Sequence, residues 1–156
     1  MATETQGSTQ QGGGVLRDVM TAQPAFVTSD ETIQRAAELM GQLDVGALPV
    51  CDGQRLIGMV TDRDITVRCT ASGADPASTK VSEAMTAEVQ WCNEEDPIDS
   101  VREKMASSQI RRIPVINKDH QLVGMVSLGD LAVKTEDSAG AGQALEDVSQ
   151  PAQPAQ

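Results

Sequence analysis

Between Glu31 and Leu43 the apolar residues Ile33, Ala36, Ala37 and Met40 recur at helical spacing, which predicts an amphipathic helix with one buried face. Asp30 stands before it as the expected N-cap. Residues 25–28 read as a short extended run leading in, and residues 47–51 and 56–60 read as two strands beyond the helix. The Asp52-Gly53 pair between those strands predicts a hairpin turn. A second helix is expected after Thr61, running to about Thr70, before the loop Ser72-Gly73-Ala74-Asp75-Pro76. The pattern then runs again. Ile98, Val101 and Met105 form a second apolar stripe, with Asp96-Pro97 expected as N-cap and first helical residue. Residues 113–116 and 122–126 predict a second hairpin, and a helix is expected after Ser127.

The recurrence extends to the letters. Val19-Met20-Thr21-Ala22 returns as Ala84-Met85-Thr86-Ala87, and Ala47-Leu48-Pro49-Val50 returns as Arg112-Ile113-Pro114-Val115. The run Leu56-Ile57-Gly58-Met59-Val60-Thr61-Asp62-Arg63-Asp64 returns as Leu122-Val123-Gly124-Met125-Val126-Ser127-Leu128-Gly129-Asp130. The offset is 65 residues up to the turn near Asp52 and Asn117 and 66 after it, so one turn residue has been inserted. Each repeat is β-α-β-β-α. The expected fold is α+β: two tandem units related by a pseudo-twofold, with small sheets packed against helices. Each unit then buries against the other what it cannot bury alone. The expected boundaries are 15–75 and 76–134, flanked by a polar, Gly-rich tail (1–14) too poor in apolar groups to order itself and by a disordered acidic Ala-Gln-Pro tail (135–156), in which Pro151 and Pro154 end any short helix over Gly-Gln-Ala-Leu-Glu-Asp-Val.

Composition narrows the function classes. Phe26 and Trp91 are the only aromatic residues, so the core is expected from Val, Ile, Leu, Met and Ala, with Met40 and Met105 inside it. A net charge of −11 argues against nucleic acid, whose phosphates demand Lys and Arg, and sparse aromatics remove base-stacking platforms for single strands. No apolar stretch approaches the roughly 18 residues a membrane span needs. No signal peptide is visible at the N-terminus. Cys51, Cys69 and Cys92 lack paired spacing, and His120 is the only histidine, so no metal site is expected and the thiols read as reduced in a cytoplasm. Cys51 and Cys92 read as small buried hydrophobes, with a redox switch as the sharper alternative. His120 is expected exposed in the second hairpin turn.

These duplicated motifs resemble a pair of CBS domains, the Bateman module, over about 15–133, and are most similar to stand-alone bacterial proteins built of nothing else. The resemblance implies a sensor that binds adenosine-containing ligands (AMP, ADP, ATP or S-adenosylmethionine) in the clefts between repeats, with no cofactor required. It also implies a homodimer in which two chains form a flat four-domain disc.

The Thr-x-x-Asp segment has two readings. Thr61 to Asp64 and Ser127 to Asp130 fall where a strand becomes a helix, and a hydroxyl followed three residues later by an acid is a capping box that needs no ligand. A helix N-terminus also attracts phosphate, and a carboxylate suits the paired hydroxyls of a ribose. The resemblance implies that this Asp contacts ribose and that the Thr or Ser lies beside the sugar and phosphates. It further implies one cleft combining Thr61 and Asp64 with Thr86, Val89, Ile110 and Arg111, and another combining Ser127 and Asp130 with Thr21, Ala25, Val45 and Gly46. Arg111 and Arg112 correspond to Gly46 and Ala47, and Arg63 to Gly129, so phosphorylated nucleotides are expected to prefer the Asp64 cleft. Solvated charges or a cross-dimer ion pair are the other reading of the two arginines. Trp91 is read as core filling, with stacking on a base as the alternative.

A single turn histidine assembles no Ser/His/Asp or Cys/His set, and there is no P-loop, so the chain reads as not an enzyme. Two functions remain. One is a nucleotide-responsive regulator read by an unidentified protein partner. The other is a dimeric interaction or stress-stabilising module whose clefts are empty and whose Thr-x-x-Asp segments are caps alone.

Overall fold

Thr32, not Asp30, caps the first long helix. The computed structural model describes residues 14–134, so both tails beyond them lie outside the described residues. Helix α1 (Ile33–Leu43) begins where Thr32 Oγ1 accepts the Arg35 N–H at 3.1 Å. Asp30 is drawn instead to the Thr28 hydroxyl, 2.7 Å away, which holds its carboxyl below the ordinary range. The same correction holds at the second long helix, α3 (Ile98–Ser108). Its N-cap is Pro97, which offers no side-chain bond, and Asp96 Oδ2 accepts the Asn93 N–H at 2.9 Å. Glu31 Oε2 accepts the Thr28 N–H at 2.9 Å in the equivalent place. In both repeats the acid ahead of the helix closes the strand-to-helix loop, which leaves it unavailable as a cap.

The strands are β1 (Thr21–Ala22), β2 (Val27–Thr28), β3 (Ala47–Asp52), β4 (Arg55–Thr61), β5 (Cys92–Asn93), β6 (Arg112–Ile116) and β7 (Leu122–Ser127). The extended run expected over 25–28 narrows to β2, with Ala25 and Phe26 exposed before it. The β3–β4 hairpin closes at Asp52↔Arg55, with Gly53 at φ 64°, a left-handed value that glycine adopts without a Cβ penalty. Helix α2 (Asp62–Asp64) passes directly into a π-helix over Ile65–Thr70, where the plain α4 (Leu128–Lys134) follows β7. The Ala71 N–H reaches back five residues to Thr66 O at 2.9 Å.

The described residues cluster into two compact units that cut across the repeats. One takes 25–90 and 119–122 (the Phe26 unit), the other 14–24, 91–118 and 123–134 (the Trp91 unit). Each unit therefore joins the core of one repeat to the leading segment of the other, by matching bonds. In the Trp91 unit Leu16 N–H donates to Asp96 O (3.0 Å) and Ile98 N–H to Gly14 O (3.2 Å). In the Phe26 unit Val81 N–H donates to Glu31 O (2.8 Å) and Ile33 N–H to Thr79 O (2.9 Å). Strand β1 lies antiparallel on β7 (Thr21↔Met125), and Thr86 bridges Met59 of β4 in the same way. The sheets run β1-β7-β6-β5 and β2-β3-β4, with β2 parallel to β3 and β5 parallel to β6.

Each unit has its own aliphatic core. Val27, Ile33, Ala36, Met40, Leu48, Val50 and Val60 pack with Val81 and Ala84 in the Phe26 unit. Cys92, Ile98, Val101, Met105, Ile113, Val115 and Val126 pack with Leu16 and Val19 in the Trp91 unit. Full burial of one such branched side chain stabilises by roughly 1.5–3 kcal/mol, against about 1 kcal/mol for a helix cap. Packing therefore carries the fold, and the caps trim it. Ala37, expected on the buried face of α1, is exposed. His120, expected exposed, is half-buried at φ 64°, and its carbonyl accepts the Leu56 N–H at 3.1 Å.

Candidate ligand site

Both Thr/Ser-x-x-Asp segments are closed capping boxes. Thr61 Oγ1 accepts the Asp64 N–H at 2.9 Å, and Asp64 Oδ2 accepts the Thr61 N–H at 3.0 Å. Ser127 Oγ accepts the Asp130 N–H at 3.1 Å, and Asp130 Oδ2 accepts the Ser127 N–H at 3.0 Å. The chain reverses sharply from strand to helix at these points, and the reciprocal bonds satisfy two donors that the turn would otherwise strand. Both aspartates are half-buried, and each accepts the turn N–H through Oδ2.

Around Asp64 the Phe26 unit gathers three of the other sequence candidates. The Asp62 N–H donates to Gly46 O at 3.0 Å, and a Cβ on Gly46 would lie 3.3 Å from Asp62 Oδ2. Val45 precedes it, half-buried, with its N–H on Met40 O at 3.0 Å. Thr86 exchanges backbone bonds with Met59, at 2.8 and 3.0 Å, near the end of β4. Val89 is half-buried, while Ala25 and Arg63 are exposed.

Arg68 was not among the sequence candidates, yet it ties this region together. Its guanidinium donates to Ala84 O (3.3 Å) and Met85 O (3.0 Å), reaches Thr86 Oγ1 at 3.5 Å and lies 3.9 Å from Asp64 Oδ1. The signal available in the sequence was the Asp64–Arg68 spacing, four residues apart on one helical face.

The Trp91 unit repeats the layout with other residues. Ser127 ends β7 and Asp130 lies in the first turn of α4, and the Leu128 N–H donates to Arg111 O at 3.2 Å, as Asp62 does to Gly46. Ile110 is half-buried with its N–H on Met105 O at 3.1 Å, and the side chains of Arg111 and Arg112 are exposed. Thr21 lies on β7 through its pairing with Met125. Trp91, read from the sequence as core filling, is 41% exposed. Residue 92 takes the inward position, and a strand sends neighbouring side chains to opposite faces.

A cavity of about 380 Å³ opens between α1 and the helix after β4, lined by Met40, Gly41, Asp62, Ile65 and Thr66 among others. Val45 is the one sequence candidate on its wall, and neither Asp64 nor Thr86 lines it. Among the described residues no group of three or more His, Cys, Asp or Glu side chains is placed to hold a metal ion. Cys51, Cys69 and Cys92 are buried, and burial pushes all three thiols up, Cys51 to about 11. No helix among the described residues is long and apolar enough to cross a membrane.

Two β-α-β-β-α repeats, each ending its hairpin in a capped Thr/Ser-x-x-Asp turn, define a class of small α+β module. The CBS-domain family model matches residues 16–69 and 81–135, and the chain belongs to that family as a tandem pair. It is 46% identical to the CBS domain-containing protein YhcV of Bacillus subtilis over 134 residues, covering 86% of this chain and 94% of that one. Among solved structures it is similar to Hypoxic Response Protein I with two coordinated zinc ions (39% identity, TM-score 0.69, 76% of this chain and 96% of that one). It is also similar to the CBS domain pair of protein MJ0100 in complex with 5'-methylthioadenosine and S-adenosyl-L-methionine (25% identity, TM-score 0.64, 77% and 94%).

Proposed function

We propose that the protein is a non-catalytic sensor that binds an adenosine-containing ligand (AMP, ADP, ATP or S-adenosylmethionine) and reports its occupancy to a protein partner. The observation that carries this reading is the twofold occurrence of one device. A carboxylate is locked at a helix start by its own capping box, beside the residue preceding the central strand and the threonine of a leading segment. A locked carboxylate accepts two hydroxyl hydrogens of a ribose at little ordering cost, and the neighbouring helix start favours phosphate. The adenosine compounds bound by the MJ0100 pair support the ligand class. In place of the grouping expected from the sequence, Thr61, Asp64, Thr86 and Val89, with Ala25, Val45, Gly46 and Arg63, make up one proposed site within the Phe26 unit. Ser127, Asp130 and Thr21, with Ile110 and Arg111, make up the other within the Trp91 unit, where Arg111 favours a phosphorylated ligand. The same reading takes the protein as a cytoplasmic homodimer with no catalytic step. A partner senses the ligand only through its different affinity for two arrangements of the chain.

One observation favours a second reading, a ligand-free interaction module. Both capping boxes are complete without a ligand, and both aspartates already serve the fold. Thermal unfolding of the wild type, Asp64→Ala and Asp130→Ala with each of the four ligands decides between them. A ligand at about 100 times its Kd stabilises by roughly 2.7 kcal/mol, several degrees for a domain of this size. The sensor reading expects a shift in the wild type that is lost in an aspartate variant. Equal melting with and without all four ligands moves the assignment to the interaction module.

A further inference from the structure

Arg68 spans the space between the capped Asp64 turn and the leading segment Ala84–Thr86, all within the Phe26 unit. Its Nη1 donates to Ala84 O and Met85 O, Nη2 reaches Thr86 Oγ1 at 3.5 Å, and Nε lies 3.9 Å from Asp64 Oδ1. Each guanidinium nitrogen is turned towards protein, which suits a strut better than a phosphate contact. The carboxylate is divided to match: Oδ2 accepts the Thr61 N–H, and Oδ1 is the oxygen towards Arg68. The two ends of the strut differ in strength. Charge-assisted bonds to backbone carbonyls hold the segment firmly, whereas an ion pair at 3.9 Å, with the arginine side chain 48% exposed, holds Asp64 weakly. The backbone beneath Arg68 is itself unusual. It lies in the π-helix Ile65–Thr70, a rare conformation frequent at functional sites, where repeat 2 continues as α4. The position equivalent to Arg68 in repeat 2 is Lys134, and a lysine has no planar fork to divide among several partners.

We infer that Arg68 is a positioning residue that couples Asp64 to the segment Ala84–Thr86, so that filling the Asp64 site tightens this segment and makes it the part of the chain that reports occupancy. The inference rests on the ligand class proposed above and adds how its binding is passed on. A ligand held by Asp64 Oδ1 beside Thr86 covers the Arg68–Asp64 pair, and excluding water there strengthens an attraction that solvent otherwise screens. The strengthened pair draws the guanidinium, and with it the carbonyls of Ala84 and Met85, towards the capped turn. Coupling of this kind is reciprocal: a segment that the ligand orders is one whose order raises the affinity for the ligand.

Wild type, Arg68→Ala, Arg68→Lys and Ile33→Val are titrated by calorimetry with AMP and S-adenosylmethionine, and Asp64→Ala identifies the binding event of this site. Amide hydrogen exchange is followed in each protein with and without saturating ligand. Ile33→Val loosens the core of α1 away from Arg68 and controls for a loss of stability alone. The expected result is slower exchange at the Met85 and Thr86 amides of the saturated wild type, kept in Ile33→Val and lost in saturated Arg68→Ala. Arg68→Ala should weaken AMP and S-adenosylmethionine by the same factor, roughly tenfold, with Arg68→Lys in between. Where Arg68→Ala does not fold, Arg68→Lys carries the same comparison. Binding without slower exchange at Thr86 in the wild type, or slower exchange that persists in saturated Arg68→Ala, overturns the coupling and leaves the sensor reading standing. A loss confined to AMP makes Arg68 a phosphate contact and overturns the coupling as well. Absence of binding heat with both ligands in the wild type removes the sensor reading itself, and this coupling with it.

Discussion

Gly58 faces the carbonyl of Thr86 so closely that a Cβ at position 58 would meet the oxygen at 2.5 Å. This contact carries the Met59–Thr86 bridge, by which a leading segment of repeat 2 joins the sheet of repeat 1. A methyl group here must push backbone against backbone. Gly58→Ala is expected to destabilise by about 1–3 kcal/mol, measured as a lowered urea midpoint at unchanged slope. Its counterpart Gly124 faces the flexible end of the Met20 side chain first, with Thr21 O at 3.0 Å. Gly124→Ala should cost less. Equal costs would show that the Thr86 carbonyl yields as easily as a thioether.

The capping boxes predict a coupled loss. Thr61→Ala and Asp64→Ala each remove one of two reciprocal bonds, at about 1 kcal/mol apiece in the absence of ligand. The double variant should lose less than the sum, because either change alone opens the turn. Strict additivity in chemical unfolding would contradict the box as a unit.

Arg68 predicts a local effect. Removing its guanidinium frees the carbonyls of Ala84 and Met85 and leaves Thr86 held by the Met59 bridge alone. Hydrogen exchange at the Thr86 amide should accelerate in Arg68→Ala, on the order of tenfold, while amides of the α1 core such as Met40 change little. Uniform acceleration along the chain would mean that Arg68 acts on global stability instead.

The buried thiols predict a pH dependence with a definite sign. Burial raises the Cys51 pKa from its ordinary 9.0 to about 11, and those of Cys69 and Cys92 in the same direction. Between these values the unfolded chain releases a proton that the native state retains, so folding stability falls as pH rises from about 9 towards 11. It is unaffected by this group below 9. The limiting slope is about 1.4 kcal/mol per pH unit for one thiol. Urea midpoints at pH 8, 9 and 10.5 should show the decline, with a shallower one in Cys51→Ala; identical slopes in the two proteins would assign the decline to other groups.

Much of this architecture was legible in the residue pattern. Ile33, Ala36 and Met40 announce the buried face of α1, and the alternation of Leu56, Gly58 and Val60 with half-buried neighbours matches β4. Other features left no periodic trace. Strand β1 is two exposed residues long, and its partner Met125 belongs to the other repeat, so neither alternation nor a local turn marks it. The acids Asp30 and Asp96 carry the spelling of caps, but loop bonds from Thr28 and Asn93 claim them first. A lone tryptophan ordinarily fills a core, but Cys92 holds the inward place and leaves Trp91 exposed. The Thr61–Asp64 and Ser127–Asp130 segments are legible as chemistry, while the Asp64–Arg68 spacing hints at an ion pair but not at the carbonyls of Ala84 and Met85 that Arg68 also holds.

The crossing of leading segments also bears on how such a chain could have arisen. Ile33 takes its backbone partner from Thr79 and Ile98 from Gly14, so a polypeptide carrying a single repeat would leave both requirements unmet within itself. Two copies would satisfy them by trading their first dozen or so residues, as a domain-swapped pair. Duplication and fusion would convert that concentration-dependent association into a folding step within one molecule. The smallest viable ancestor of this fold is then an obligate dimer of half-length chains, and a cut between the repeats should leave two pieces that fold only in each other's company.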